Sequence, residues 1–86
     1  MSHYQLFLRV EAIEGLKATK GLQKRQISTF IDRLASNPNA TGDYAETDDT
    51  GRIIEIKVVC QFAITFWTDH AAKEIKIIDI RRADLA

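Results

Sequence analysis

Three successive runs of β-branched and aromatic residues between Arg52 and Arg82 constrain this chain more than any other feature in it. Ile53, Ile54, Ile56, Val58 and Val59 form the first run, Phe62, Ile64 and Phe66 the second, and Ile75, Ile77, Ile78 and Ile80 the third. Such side chains lose rotamer freedom in a helix and pack well on a pleated surface, so each run reads as a strand. Alternation then divides the strands into two faces. It assigns Glu55, Lys57, Ala63, Thr65, Trp67, Asp79 and Arg81 to the face opposite the apolar set, and a functional site is expected there. No glycine separates Val59 from Phe62, so Cys60-Gln61 has to serve as a bend or bulge. Asp69-His70-Ala71-Ala72 reads as a hairpin loop with His70 exposed and inert at its tip, and the three strands as an antiparallel meander.

The segment before Arg52 supplies what covers the sheet. Tyr4, Leu6, Leu8 and Val10 alternate with Gln5, Phe7 and Arg9, the period of a strand with one buried face. From Val10 the spacing lengthens to Ile13 and Leu16, which predicts a short helix interrupted between Gly15 and Gly21. Over Gly21 to Ser36, Ile27, Phe30, Ile31 and Leu34 fall on one helical stripe, with Lys24, Arg25, Asp32 and Arg33 turned to solvent. That helix stops at Asn37, because Pro38 disfavours helical geometry in the residue before it. Asn37 to Gly51 is rich in turn formers and acids and reads as a surface connection anchored by Tyr44. Its acids lack the alternating spacing and the twelfth-position Glu of a calcium-binding EF-hand loop. The order strand, helix, helix, three strands predicts an α+β fold, with both helices on one face of a small, mostly antiparallel sheet.

Eighty-six residues with 45% hydrophobic content suit one domain, 1–86, with a modest core. The formal net charge is zero, which weighs against the basic footprint of a nucleic-acid binder. The charge is unevenly spread, however: Met1 to Ser36 holds six Lys/Arg against Glu11, Glu14 and Asp32, whereas Asn37 to Gly51 holds only acids. Cys60 is a single cysteine without a histidine at ligand spacing, so neither an internal disulfide nor a metal site is expected, and no cofactor is implied. With no charged start followed by an apolar stretch, and no run long enough for a membrane span, a cytoplasmic protein is expected.

The order of elements, Asn37-Pro38 after the long helix, Gly51-Arg52 opening a strand, and the ending Asp79-Ile80-Arg81-Arg82-Ala83-Asp84 together resemble the RelE/ParE toxin superfamily. The resemblance spans nearly the whole chain. It implies the toxin of a bacterial type II toxin–antitoxin pair of the plasmid-stabilisation kind, held inactive by an antitoxin protein. The target would be mRNA on the ribosome for a RelE-like ribonuclease or DNA gyrase for a ParE-like poison. A non-catalytic interaction domain of the same fold is the other reading, and a homo-oligomer is left open.

In the ribonuclease branch the resemblance implies basic residues on the second strand, an arginine on the third, and a basic residue then a tyrosine at the end. Lys57, Arg81 and Arg82 match the first and last of these. No arginine occupies Gln61, Phe62 or Ala63, and Asp84-Leu85-Ala86 has no tyrosine. Metal-independent RNA cleavage needs a base, an acid and cations around the phosphate. On this reading Glu55 is the base, Lys57 the acid or phosphate ligand, Arg81 or Arg82 the stabilising cation, and Thr65 and Trp67 bind RNA or a partner. The plainer reading makes Glu55 and Lys57 members of solubilising ion pairs, Arg81 a partner of Asp79, and Trp67 a core or antitoxin contact.

Overall fold

The structure, a computed structural model, describes residues 3–84. The sequence readings at Met1-Ser2 and Leu85-Ala86 lie outside the described residues. The elements are β1 (Gln5–Leu8), α1 (Val10–Lys17), α2 (Gly21–Ala35), β2 (Tyr44–Thr47), β3 (Ile53–Val59), β4 (Phe62–Asp69) and β5 (Glu74–Arg82). They build an α+β fold around one five-stranded sheet in the order β1-β5-β4-β3-β2. The expected meander of three antiparallel strands is there, and β2 lengthens it to four by pairing antiparallel with β3. β1 joins the other edge, parallel to β5. The strand inside the expected surface connection is short and exposed throughout, so it carries no hydrophobic alternation to announce it.

Both helices cover one face of the sheet. Ala12 of α1 and Ile27, Ile31 and Leu34 of α2 meet Phe62, Ile64, Phe66, Ile75, Ile77 and Ile80, and Phe30 packs edge-on to Phe66 with ring centroids 6.0 Å apart. Removing each such aliphatic side chain from water contributes on the order of 1.5–3 kcal/mol. α1 lies directly on β5, because an added Cβ on Gly15 would collide with the carbonyl of Ile80. A glycine inside a helix is unfavourable on propensity alone, and this close approach is what it permits.

The link between β3 and β4 determines what each strand shows to either side. Val59 pairs with Phe62, leaving Cys60 and Gln61 as a two-residue loop at φ 50° and 70°. Two left-handed central residues are the mark of a type I′ turn, whose twist suits a tight hairpin but whose usual occupants are Asn and Gly. The expected bend is therefore a hairpin turn held in a strained conformation. The Gln23 side-chain amide donates to the Cys60 carbonyl at 2.8 Å, and the Ala83 N–H donates to the Gln61 carbonyl at 2.8 Å.

Two stability measurements check these features. Gly15→Ala is expected to destabilise by about 3 kcal/mol through overpacking against β5, read as a lower urea midpoint; an unchanged midpoint would mean that α1 can lift from the sheet at no cost. Gln61→Gly relieves the left-handed strain and is expected to stabilise by about 0.5–1 kcal/mol.

Candidate functional site

The sheet face away from the helices is open, and its composition follows from the turn. A two-residue loop pairs odd positions of β3 with even positions of β4: Glu55 stands opposite Phe66 and Lys57 opposite Ile64. Glu55 and Lys57 therefore lie on the helix-covered side, not on the open face where alternation against the apolar residues of the strand had placed them. The open face carries Ile54, Ile56 and Val58 of β3 and Ala63, Thr65 and Trp67 of β4. An irregularity between Thr65 and Phe66 leaves Ile78 unpaired in β5 and keeps Asp79 opposite Thr65 and Arg81 opposite Ala63. Beyond it Lys76 stands opposite Trp67, and Phe7 of β1 stands opposite Lys76. Tyr44 of β2 closes the face beside Ile56. Phe7, Tyr44 and Val58 are exposed there.

The sequence-predicted site residues do not converge. The Gly42 N–H donates to Glu55 Oε1 at 2.8 Å, which fastens the loop after α2 onto β3. Lys57 Nζ lies 3.0 Å from Asp43 Oδ1, while the Val58 N–H donates to Asp43 Oδ2 at 2.8 Å. The Val58 N–H first, then Lys57, holds the Asp43 carboxyl below its usual range. Arg82 stands opposite Phe62, hence on the helix side, with its guanidinium 5.9 Å from the Phe62 ring. It donates to both carboxylate oxygens of Asp84, at 3.0 and 2.8 Å, and this pairing raises the Arg82 pKa and lowers that of Asp84. Arg81 is on the open face, paired with Asp79. Thr65, Trp67 and Arg81 thus share a surface, and Glu55, Lys57 and Arg82 do not.

Trp67 has neighbours that its own strand does not reveal. The Arg52 guanidinium lies 4.1 Å and Lys76 Nζ 5.1 Å from its ring centre, so two cations attend this aromatic of the open face. Arg52 is positioned by Asp48, which accepts the N–H groups of Thr50 and Arg52 at 2.9 Å each and the Thr50 hydroxyl at 2.7 Å. The Thr50 hydroxyl, then the Arg52 N–H, keeps the Asp48 carboxyl below its usual range. Gly51-Arg52 was visible in the sequence as the opening of a strand; its reach to Trp67 was not, because it depends on the pairing of β3 with β4.

A cleft of about 450 Å³ opens where β3 begins and β4 ends, between Pro38 and Ala40 on one side and Ile53, Glu55 and Trp67 on the other. His70 at its rim is exposed, as expected, and its Nδ1 lies 2.9 Å from the Tyr4 hydroxyl, tying the β4–β5 loop to the start of β1. Among the described residues, no three His, Cys, Asp or Glu side chains are grouped to hold a metal ion. No helix among them is long and apolar enough to cross a membrane.

No protein-family model and no curated protein sequence matches the chain. Solved structures do. The archaeal RelE–RelB complex from Pyrococcus horikoshii OT3 matches with a TM-score of 0.79 over 98% of this chain and 99% of that one, at 14% identity. The chain has a RelE-like fold. The toxin–antitoxin complex RelBE2 from Mycobacterium tuberculosis matches this RelE-like fold with a TM-score of 0.75 at 15% identity, covering 98% of this chain and 97% of that one. The resemblance read from the order of elements is thus matched in three dimensions.

The Asp43 clamp supplies a pH test within this fold. A carboxyl whose folded pKa is depressed stabilises the protein fully above its unfolded pKa, about 4, and loses that contribution as pH falls through the folded value. Asp43→Ala is therefore expected to lower the urea midpoint clearly at pH 7 and progressively less below pH ~4, with a pH-independent difference counting against the clamp.

Proposed function

We propose that the protein is the toxin-type member of a toxin–antitoxin pair and that it acts by binding through the open face of its sheet, without cleaving RNA. The observation that carries this reading is the outward row of the two central strands: Ile54, Ile56, Val58, Ala63, Thr65 and Trp67. Cleavage of an RNA phosphodiester requires an acid, a base and cations within reach of one phosphate. Glu55 and Lys57 are turned to the helix side and engaged by Gly42 and Asp43, and Arg82 is engaged by Asp84. Arg81 remains on the open face with Thr65 and Trp67, where the three serve as binding groups.

An antitoxin segment is the partner that suits this face. Two solved structures of similar fold are a RelE–RelB complex and a toxin–antitoxin complex. Phe7, Tyr44 and Val58 expose apolar surface that a laid-on segment would remove from water. Of the activities that the family resemblance implies, poisoning DNA gyrase by surface contact needs no acid–base pair. That activity, exerted in the cytoplasm, is favoured over ribosome-dependent cleavage.

Induced expression of the chain alone decides the matter, with colony counts and ribosome-programmed mRNA cleavage as readouts. Growth arrest without mRNA cleavage is expected, relieved at least about tenfold by Trp67→Ala combined with Val58→Asp, and unchanged by Lys57→Ala or Arg82→Ala. Cleavage that disappears in Lys57→Ala would overturn the binding reading, and full growth while folded protein accumulates would remove the toxin assignment altogether.

A further inference from the structure

The geometry points to the cleft at the start of β3 as a binding site for an alkylguanidinium group, that of an arginine side chain or of a small guanidine, with the Glu55 carboxylate as its counter-ion. Glu55 stands opposite Phe66, and Ile53 and Thr68 each lie two residues from that pair, so all three are on the helix side of the sheet. They line the cleft together with Pro38, Asn39, Ala40 and Thr41 of the loop that follows α2. These residues lie on the opposite side of the sheet from the face read as the antitoxin surface, so the inference goes beyond that reading and does not depend on it.

Charge selects the sign of the ligand. Apart from His70 at the rim, whose Nδ1 meets the Tyr4 hydroxyl, the titratable side chains of the lining are Arg52 and Glu55. Arg52 is engaged elsewhere: its guanidinium lies 4.1 Å from the Trp67 ring centre and 3.7 Å from Asp48 Oδ2. Glu55 is half-buried and, among the described residues, lies in no ion pair. The Gly42 N–H donates to its Oε1 at 2.8 Å, which fixes the carboxylate and leaves most of its acceptor capacity unused. A partly buried charge of this kind attracts a counter-ion more strongly than one in open water. A metal ion is a poor occupant, since no three His, Cys, Asp or Glu are grouped among the described residues.

The walls select the shape. Ile53 is 61% exposed and, with Pro38 and Ala40, offers apolar surface on which the methylenes of a long basic side chain pack. Asn39, Thr41 and Thr68 add amide and hydroxyl oxygens to the lining. A guanidinium carries five N–H donors in one plane and is weakly hydrated, so it uses several acceptors at once and gives up little water, whereas an ammonium is compact and strongly hydrated. The volume of about 450 Å³ falls within the span of small-ligand sites, about 300–1,000 Å³.

The test follows the amide NMR spectrum of the full chain during titration with N-acetyl-arginine amide, with the lysine and norleucine amides as controls for head group and stem. Saturable shifts of the Gly42, Ile53 and Thr68 amides are expected, with a Kd on the order of 1 mM for the arginine compound and at least about fivefold weaker binding of both controls. Glu55→Gln keeps an acceptor for the Gly42 N–H and removes the charge; it should weaken the arginine compound at least about fivefold with unchanged circular dichroism. If that variant fails to fold, Ile53→Ser at the exposed wall replaces it, with a loss of about threefold expected. Butylguanidinium separates the two sources: affinity equal to that of the blocked tripeptide Ala-Arg-Ala assigns the site to small guanidines, and tripeptide binding tighter by at least about threefold assigns it to an arginine of a protein. The inference is overturned if no saturable shifts occur at these amides, if either control binds as tightly as the arginine compound, or if the variant binds it like the parent chain.

Discussion

The two-residue turn at Cys60-Gln61 is the constraint on which the chemistry of both sheet faces depends. Side chains alternate with a period of two, so adding one residue to that loop would exchange the faces of β3 relative to β4. Glu55 and Lys57 would then face outward beside Thr65 and Trp67, and Ile54 and Ile56 would meet the helices. The native turn prevents this at a cost of about 1–2 kcal/mol for each left-handed residue. Gln23 from α2 and Ala83 after β5 offset part of it by hydrogen bonding the two turn carbonyls. The helix layer and the end of the last strand thus both help to set which residues the open face presents.

Much of the fold was legible because burial leaves a periodic trace. Ile27, Ile31 and Leu34 are the buried stripe of α2, and Phe62, Ile64 and Phe66 are the buried side of β4, as their spacing implied. β3 misled for a physical reason. Ile53, Ile54, Ile56, Val58 and Val59 occupy both parities, so alternation alone cannot say which set meets the helices. Ile54 and Ile56 are each only 8% exposed, yet they lie outside the helix-side core, shielded on the open face instead. β2 left no trace because an edge strand of four exposed residues has no buried face.

Trp67 shows the same limit on the site. Its parity relative to Thr65 and Arg81 was readable, since the irregularity in β5 falls after the Thr65–Asp79 pair. Its two cations were not readable, since Arg52 precedes β3 and Lys76 sits on β5, opposite Trp67. What a ring presents depends on residues brought beside it by pairing, and pairing is a property of turns and register rather than of composition.

The distribution of charge completes the contrast between the two sides of the molecule. Exposed ion pairs such as Lys57–Asp43 and Arg81–Asp79 contribute little to stability, typically about 0–1 kcal/mol. Their larger consequence is to cancel the field of cations carried by the sheet, leaving Phe7, Tyr44, Val58 and Trp67 to define its open face by shape and apolar area. Surfaces of that kind gain affinity by excluding water and are insensitive to salt. On the helices Lys17, Lys24, Arg25 and Arg33 lie in no ion pair, nor do Glu14 and Asp32, and such free charges respond to ionic strength. The contrast between sheet and helices thus follows from which cations have an acid within reach in the folded chain, with Lys73 of the β4–β5 loop the exception among the described residues.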